Sequence, residues 1–272
     1  MKPRIVLQSI AAAVALVAAG AASATPIYPD FTVDTTAMGG GGTLVPFVAN
    51  DISGQYQEQL HFNADGTFNV DLAFTAQGFN YDDTNAALTT SYTGKQTGLG
   101  QNYNLFALFS GTGNWSTSGG VTTFSLNSGG AISLVYDKGA NDTTFTPPAA
   151  PGDGYAINNV GGDVLTVLGA GSSITGSGTE NCTAPNLCGD FGQSNSLKLN
   201  SFGSSFFVSP VPFYSITLES GQFEGFPVVA GQTVTSNGTV NIVMGVPEPA
   251  GVALVGIALL GLGLAAKRRR SV

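Results

Sequence analysis

The chain carries a single histidine, His61, and beside it an acid, Glu58, in the stretch Gln55–Phe62. Period-two alternation sets Tyr56, Glu58, Leu60 and Phe62 on one face and Gln55, Gln57, Gln59 and His61 on the other. A histidine-based triad needs a nucleophile and an orienting carboxylate converging on the ring. No G-x-S-x-G elbow marks such a nucleophile, so His61 reads as a solvent-facing strand histidine, and one histidine excludes a multi-histidine zinc site. Glu58 sits on the apolar phase, where a carboxylate is costly unless it is paired or hydrogen-bonded. It reads as the partner of a buried lysine or tyrosine, as a point where the strand leaves the core, or as a catalytic acid with a raised pKa. Glycoside hydrolysis would need a second placed carboxyl group, and the sequence identifies none. The residues therefore point to a non-enzymatic protein.

The remaining acids cluster between apolar runs: Asp82 with Asp83, Asp137 with Asp142, Asp153 and Asp163. Such oxygens suit calcium, the one candidate ion. Asn63-Ala64-Asp65-Gly66-Thr67 lacks the later glutamate of an EF-hand, however, and turn chemistry accounts for it equally well. Cys182 and Cys188 flank a short loop containing Pro185. In an oxidising compartment this pair implies one local disulfide, not a redox or metal site, which would need C-x-x-C spacing or more ligands. Trp115, Tyr81, Tyr92, Tyr103 and Tyr155 lie near turns. Exposed together, they would stack on sugar rings; otherwise they are core or sheet-edge packing.

The elements that must position these residues read as strands. Two alternating runs, Gln55–Phe62 and Thr67–Phe74, flank an Asp-Gly turn, a strong hairpin signal. Further runs follow at Tyr103–Gly111, Val121–Leu126, Ile132–Tyr136, Val164–Leu168, Leu197–Val208, Tyr214–Phe223 and Val234–Met244, separated by clusters such as Thr112-Gly113-Asn114 and Asn127-Ser128-Gly129-Gly130. No long segment holds a helical period. The expected fold is all-β, an antiparallel β-sandwich or a related β architecture, in one domain over 25–245. Met38–Gly42 and Phe145–Gly154 read as loosely structured stretches.

The two ends read differently. Lys2 and Arg4 precede an apolar run from Ile10 to Ala22, then Ala22-Ser23-Ala24 before Thr25. This is the three-part pattern of a signal peptide over 1–24, with a helical apolar core and cleavage between Ala24 and Thr25. Over 246–272, Pro247-Glu248-Pro249 leads into 17 apolar residues, Ala250–Ala266, and then Lys267, Arg268, Arg269 and Arg270. That run is just long enough for a single transmembrane helix, and the cations would hold its far end in the cytoplasm. Between the two ends only three lysines face 16 acids, a formal net charge of −13. Such a surface repels phosphate backbones, so nucleic acid is not an expected partner.

The tail resembles the PEP-CTERM sorting signal in its Pro-Glu-Pro triplet, short helix and basic end. That resemblance implies recognition and removal by exosortase, with Glu248 recognised by that enzyme and not itself catalytic. It also implies a transient stay in the inner membrane before release to the cell surface or extracellular matrix. The interior resembles the flocculation-associated group of PEP-CTERM proteins at Ser53–Glu58 leading into Phe62, at Tyr103–Gly113 and at Ser209–Tyr214. What that implies is a matrix protein that holds cells together within exopolysaccharide, with no catalytic residues to carry over. A carbohydrate-binding surface module is the alternative, and a surface glycoside hydrolase comes third.

Overall fold

In the computed structural model, residues 29–82, 89–139, 143–159, 165–181, 187–226 and 228–245 are described. The expected signal helix with its Ala24–Thr25 cleavage point, and the sorting tail with Pro247, Glu248, Pro249 and Lys267 to Arg270, lie outside them. Two short strands, β1 (Phe31–Val33) and β2 (Phe47–Ala49), bracket a 3-10 turn at Thr36–Met38. Two long strands follow, β3 (Asp51–Phe62) and β4 (Thr67–Asp82), then β5 (Thr89–Ser91) and helix α1 (Gly94–Thr97). Next come β6 (Tyr103–Ser118), β7 (Val121–Leu126), β8 (Ala131–Lys138), β9 (Thr143–Thr146) and β10 (Ala156–Asn159). The chain continues through β11 (Leu165–Glu180), β12 (Leu187–Ser196), β13 (Lys198–Leu199), helix α2 (Ser201–Phe206) and β14 (Phe207–Ser209). It ends in β15 (Ile216–Glu224) and β16 (Thr233–Gly245).

The long strands pair antiparallel with their chain neighbours: β3 with β4, β4 with β6, β11 with β12, β12 with β15 and β15 with β16. β7 and β8 share one column, since β6 pairs β7 through Gly113–Ser118 and β8 through Tyr103–Ser110. β11 meets the same two strands from the other side. β16 returns to β3, with Val234 opposite Leu60 and Ile242 opposite Ile52. The all-β, antiparallel expectation holds, and the sheet closes into an eight-column barrel where a sandwich would stack two layers. Closure removes the edges that an open sheet of this length would expose.

Alternation decides inside from outside. On β3 the buried positions are Ile52, Gly54, Tyr56, Glu58, Leu60 and Phe62, while Gln55, Gln57, Gln59 and His61 face out. On β16, Ser236, Gly238, Val240 and Ile242 face in, against exposed Thr235, Asn237, Thr239 and Asn241. A polar outer face around an apolar lumen is the reverse of the pattern in membrane-spanning barrels. The small sheet β14-β1-β2 and α2 pack over one end of the barrel, with Phe47 against Phe79 (5.0 Å) and Phe206 against Tyr103 (5.8 Å). Rings of Phe62, Phe68, Trp115, Phe124, Phe223 and Phe226 fill the other end.

Both stretches expected to be loose are fixed by neighbours. Gly40 is buried against the Tyr103 ring and the Tyr136 hydroxyl, where a side chain would collide with both. The segment between β9 and β10 docks on the barrel wall through Asp71, which accepts from Gly152 N (2.8 Å), Gly154 N (3.1 Å) and Ser110 Oγ (2.7 Å). Phe145 meets Phe106 edge-on at 5.1 Å beside it. A Gly/Pro-rich sequence was therefore a poor guide to order here, because backbone N–H groups found a buried carboxylate.

Candidate functional site: the barrel lumen

The lumen is built from pairs of a ring and a glycine on adjacent strands. Phe68 stands opposite Gly113, Tyr56 opposite Gly238, Phe223 opposite Gly189, and Phe191 opposite both Gly178 and Gly221. At Gly113, Gly189, Gly221 and Gly238 the ring lies where the glycine's side chain would be. A Cβ on Gly221 would sit 2.7 Å from the Phe191 ring, and one on Gly238 2.7 Å from the ring of Tyr56. Rings from one strand thus cover the bare backbone of the next, which restores the packing that glycine alone would forfeit.

Filling is incomplete midway along. A cavity of about 80 Å3 remains, lined by Leu60, Val70, Leu72 and Leu126, the rings of Phe68, Phe109, Phe124 and Phe191, and Glu58. Gly176 and Gly178 form part of its wall, and Phe226 closes it from the segment between β15 and β16. About 80 Å3 is room for several waters or a small ligand, since one water needs roughly 10–15 Å3 on this scale.

Glu58 points into this space from β3, 8% exposed, with no side-chain hydrogen bond among the described residues. Burial alone pushes its carboxyl up to about 8. Glu219, also in the lumen, lives differently. It accepts from Asn195 Nδ2 (2.7 Å), from Thr217 Oγ1 (2.7 Å) and from Gln193 Nε2. Burial raises its pKa too, opposed by those three donors. Glu219 is thus a structural carboxyl held by three donors, while Glu58 has none among the described residues. The sequence reading placed Glu58 inward correctly, but the lysine partner it offered is not there: the described residues hold three lysines, all exposed, and no arginine. The Tyr56 hydroxyl donates instead to the Gln222 carbonyl (3.4 Å).

Glu219, Gln193 and Asn195 were missed from sequence, although Thr217, Glu219, Gly221 and Phe223 share one alternating phase and Phe223 marks it as inward. His61 is on the outer face as expected, its Nδ1 2.9 Å from Thr233 Oγ1. The candidate sugar-stacking residues do not share an exposed face. Tyr103 and Tyr155 are buried, and Trp115 packs against Phe62 with Nε1 donating to the Thr67 carbonyl (3.1 Å). Of the acids read as a calcium-suited cluster, Asp137 lies not in a loop but in β8, buried and accepting from Thr143 Oγ1 (2.6 Å), and Asp153 accepts from Ala150 N (3.2 Å). The side chain of Asp82, and all of Asp83, Asp142 and Asp163, lie outside the described residues. No group of three or more metal-ligating side chains converges among those that are described. Cys182 also lies outside them, as does the side chain of Cys188, whose backbone belongs to β12.

On the outer face, a shallow groove of about 440 Å3 runs across β12, β15 and β16, edged by Asp190, Ser220, Gln222, Thr239 and Asn241. Beside it the register sets Thr239 opposite Gln55, Asn237 opposite Gln57 and Thr235 opposite Gln59, a ladder of uncharged donors and acceptors. Compared with known proteins, the chain matches no protein family, no characterised protein and no solved structure.

Proposed function

We propose that the chain is an exported surface or extracellular-matrix protein that promotes flocculation or biofilm cohesion by associating with exopolysaccharide, and that it performs no catalysis. The observation that carries this reading is the outer amide and hydroxyl ladder of β3 and β16 with its adjoining groove. Glutamine, asparagine and threonine both donate and accept, which matches the hydroxyls and ring oxygens of a neutral glycan, and an extended flat face suits a repeating polymer. The two ends supply the address. Residues 1–24 would direct export and be removed after Ala24. Residues 246–272 would hold the barrel at the inner membrane by one helix until exosortase acts at Pro247-Glu248-Pro249. Cys182 and Cys188 would close a local disulfide once outside.

The test is co-sedimentation of the exported chain with exopolysaccharide from the producing cells. Replacing Gln57, Asn237 and Thr239 together by alanine should weaken association several-fold and leave the thermal midpoint in place. Full retention of the triple variant on the polymer would remove the outer ladder as the contact surface. Mass spectrometry of the same material should find no peptide containing Arg268 to Arg270.

A further inference from the structure

The lumen cavity holds a buried acid that no side chain among the described residues satisfies. Among the described residues, Glu58 is the only ionisable one in the cavity lining, it makes no side-chain hydrogen bond, and every lysine is on the outside. Around it stand the rings of Phe68, Phe109, Phe124 and Phe191 and a set of aliphatic side chains. We propose that this cavity is a binding site for a small apolar amine, its ammonium paired with the Glu58 carboxylate and its hydrocarbon part seated among the rings.

The chemistry follows from what the cavity lacks. A buried carboxylate is tolerated when a cation is supplied, and this wall supplies none, so the complement comes from a ligand. Phenyl faces reinforce the choice, because a cation over an aromatic ring is attracted by its quadrupole. An acidic ligand would place two carboxyl groups together, which one cavity resists. The small volume limits the occupant to a short amine.

Binding has a proton balance that can be measured. Burial holds Glu58 up to about 8, so the empty site is largely protonated at pH 7. An alkylammonium entering that site displaces the carboxyl proton to the buffer and leaves the ammonium–carboxylate pair. Two phenols near Glu58 stay uncharged at that pH, Tyr56 on β3 itself and Tyr155 from the segment between β9 and β10, both pushed up by burial, while the Glu219 carboxyl, bonded to the lining residue Gln193, is committed to its own three donors. Ser236, directly opposite on β16, does not titrate. Asp71, one residue from the lining residue Leu72 on β4, belongs to the opposite face of that strand and is bonded to Ser110, Gly152 and Gly154.

The experiment is calorimetric titration of the exported chain with benzylamine and with benzyl alcohol, an uncharged molecule of the same size, at pH 7 in two buffers of different protonation enthalpy. Benzylamine is expected to bind at least about tenfold more tightly than the alcohol and to release close to one proton per molecule bound. Glu58→Gln should erase the preference and leave alcohol binding in place. Equal affinity for the two probes, amine binding without proton release, or no binding of either would each overturn the assignment. The proton count is read on the unaltered chain, so it decides the matter even if the variant folds poorly. The site is internal, so its failure would leave the outer-face association with glycan standing.

Discussion

Two walls of the barrel solve the same packing problem in opposite ways. The wall of β3 and β4 points Tyr56, Leu60, Phe62, Phe68, Val70 and Phe74 into the lumen, all buried. The wall of β11 and β12 offers Gly176, Gly178 and Gly189 at its inward positions, with Phe191, Gln193 and Asn195 between. One wall carries side chains at nearly every inward place, and the other alternates bare backbone with Phe191 and two amides. Volume is therefore balanced across strand pairs and around the ring of strands, not along any one strand, which is how an interior packs closely where parts of its wall carry no side chain.

The sharpest way to break this division is to put a side chain where room is required. Gly221→Val would drive its Cβ into the Thr239 carbonyl oxygen as well as the Phe191 ring, and backbone cannot step aside. Urea denaturation should show a loss of about 3 kcal/mol, the upper range for overpacking. The exception on the ring-donating wall, Glu58, should appear in the pH profile. Its folded pKa of about 8 lies above the ordinary 4.5, so between those values the native state keeps a proton that the unfolded chain has released. Its contribution is complete below about 4.5 and is lost as pH rises through 8, with a steepest slope of about 1.4 kcal/mol per pH unit. Glu219 acts in the same direction. Glu58→Gln should flatten denaturation midpoints measured at pH 5, 6, 7 and 8, and a profile rising over that interval would contradict the burial of Glu58.

A subtler test sharpens the pairing itself. Gly189→Ala alone collides with the Phe223 ring, while Phe223→Leu shortens that ring. The double variant should recover about 1 kcal/mol relative to the sum of the singles, a coupling of the size expected for direct neighbours.

The same division explains what could be read from the sequence. β3, the Asp65-Gly66 turn and the start of β4 were legible because that wall carries its own apolar residues at every second place. β7 and β16 were legible from the apolar residues that they do carry inward, Phe124 and Leu126 on β7 and Val240 and Ile242 on β16. The stretch from Gly169 to Glu180 was not, because its lumen positions are glycines filled by Phe191 from β12 and by Leu126 and Phe124 from β7. The run Val164–Leu168 was only the visible tip of β11. Thr112-Gly113-Asn114, read as a turn, is mid-strand, with Gly113 bare to receive Phe68. Leu197–Val208, read as one strand, breaks into α2, which Asn200 caps by accepting from Gly203 N (2.9 Å). Glu58 was legible from its phase alone, whereas its isolation depended on neighbours brought from six other strands, and no local pattern records that.

Ring closure also sets an order of events. The seam joins β3, near the start of the described region, to β16, whose last residue Gly245 directly precedes the proposed sorting tail. A chain emerging with its N-terminus first exposes one edge of β3 until some 180 residues later the matching strand arrives. During that interval Gln55, Gln57 and Gln59 border an open template for other strands. The proposed tail, which follows β16, would arrive together with the strand that closes the seam, so membrane attachment and ring closure would coincide.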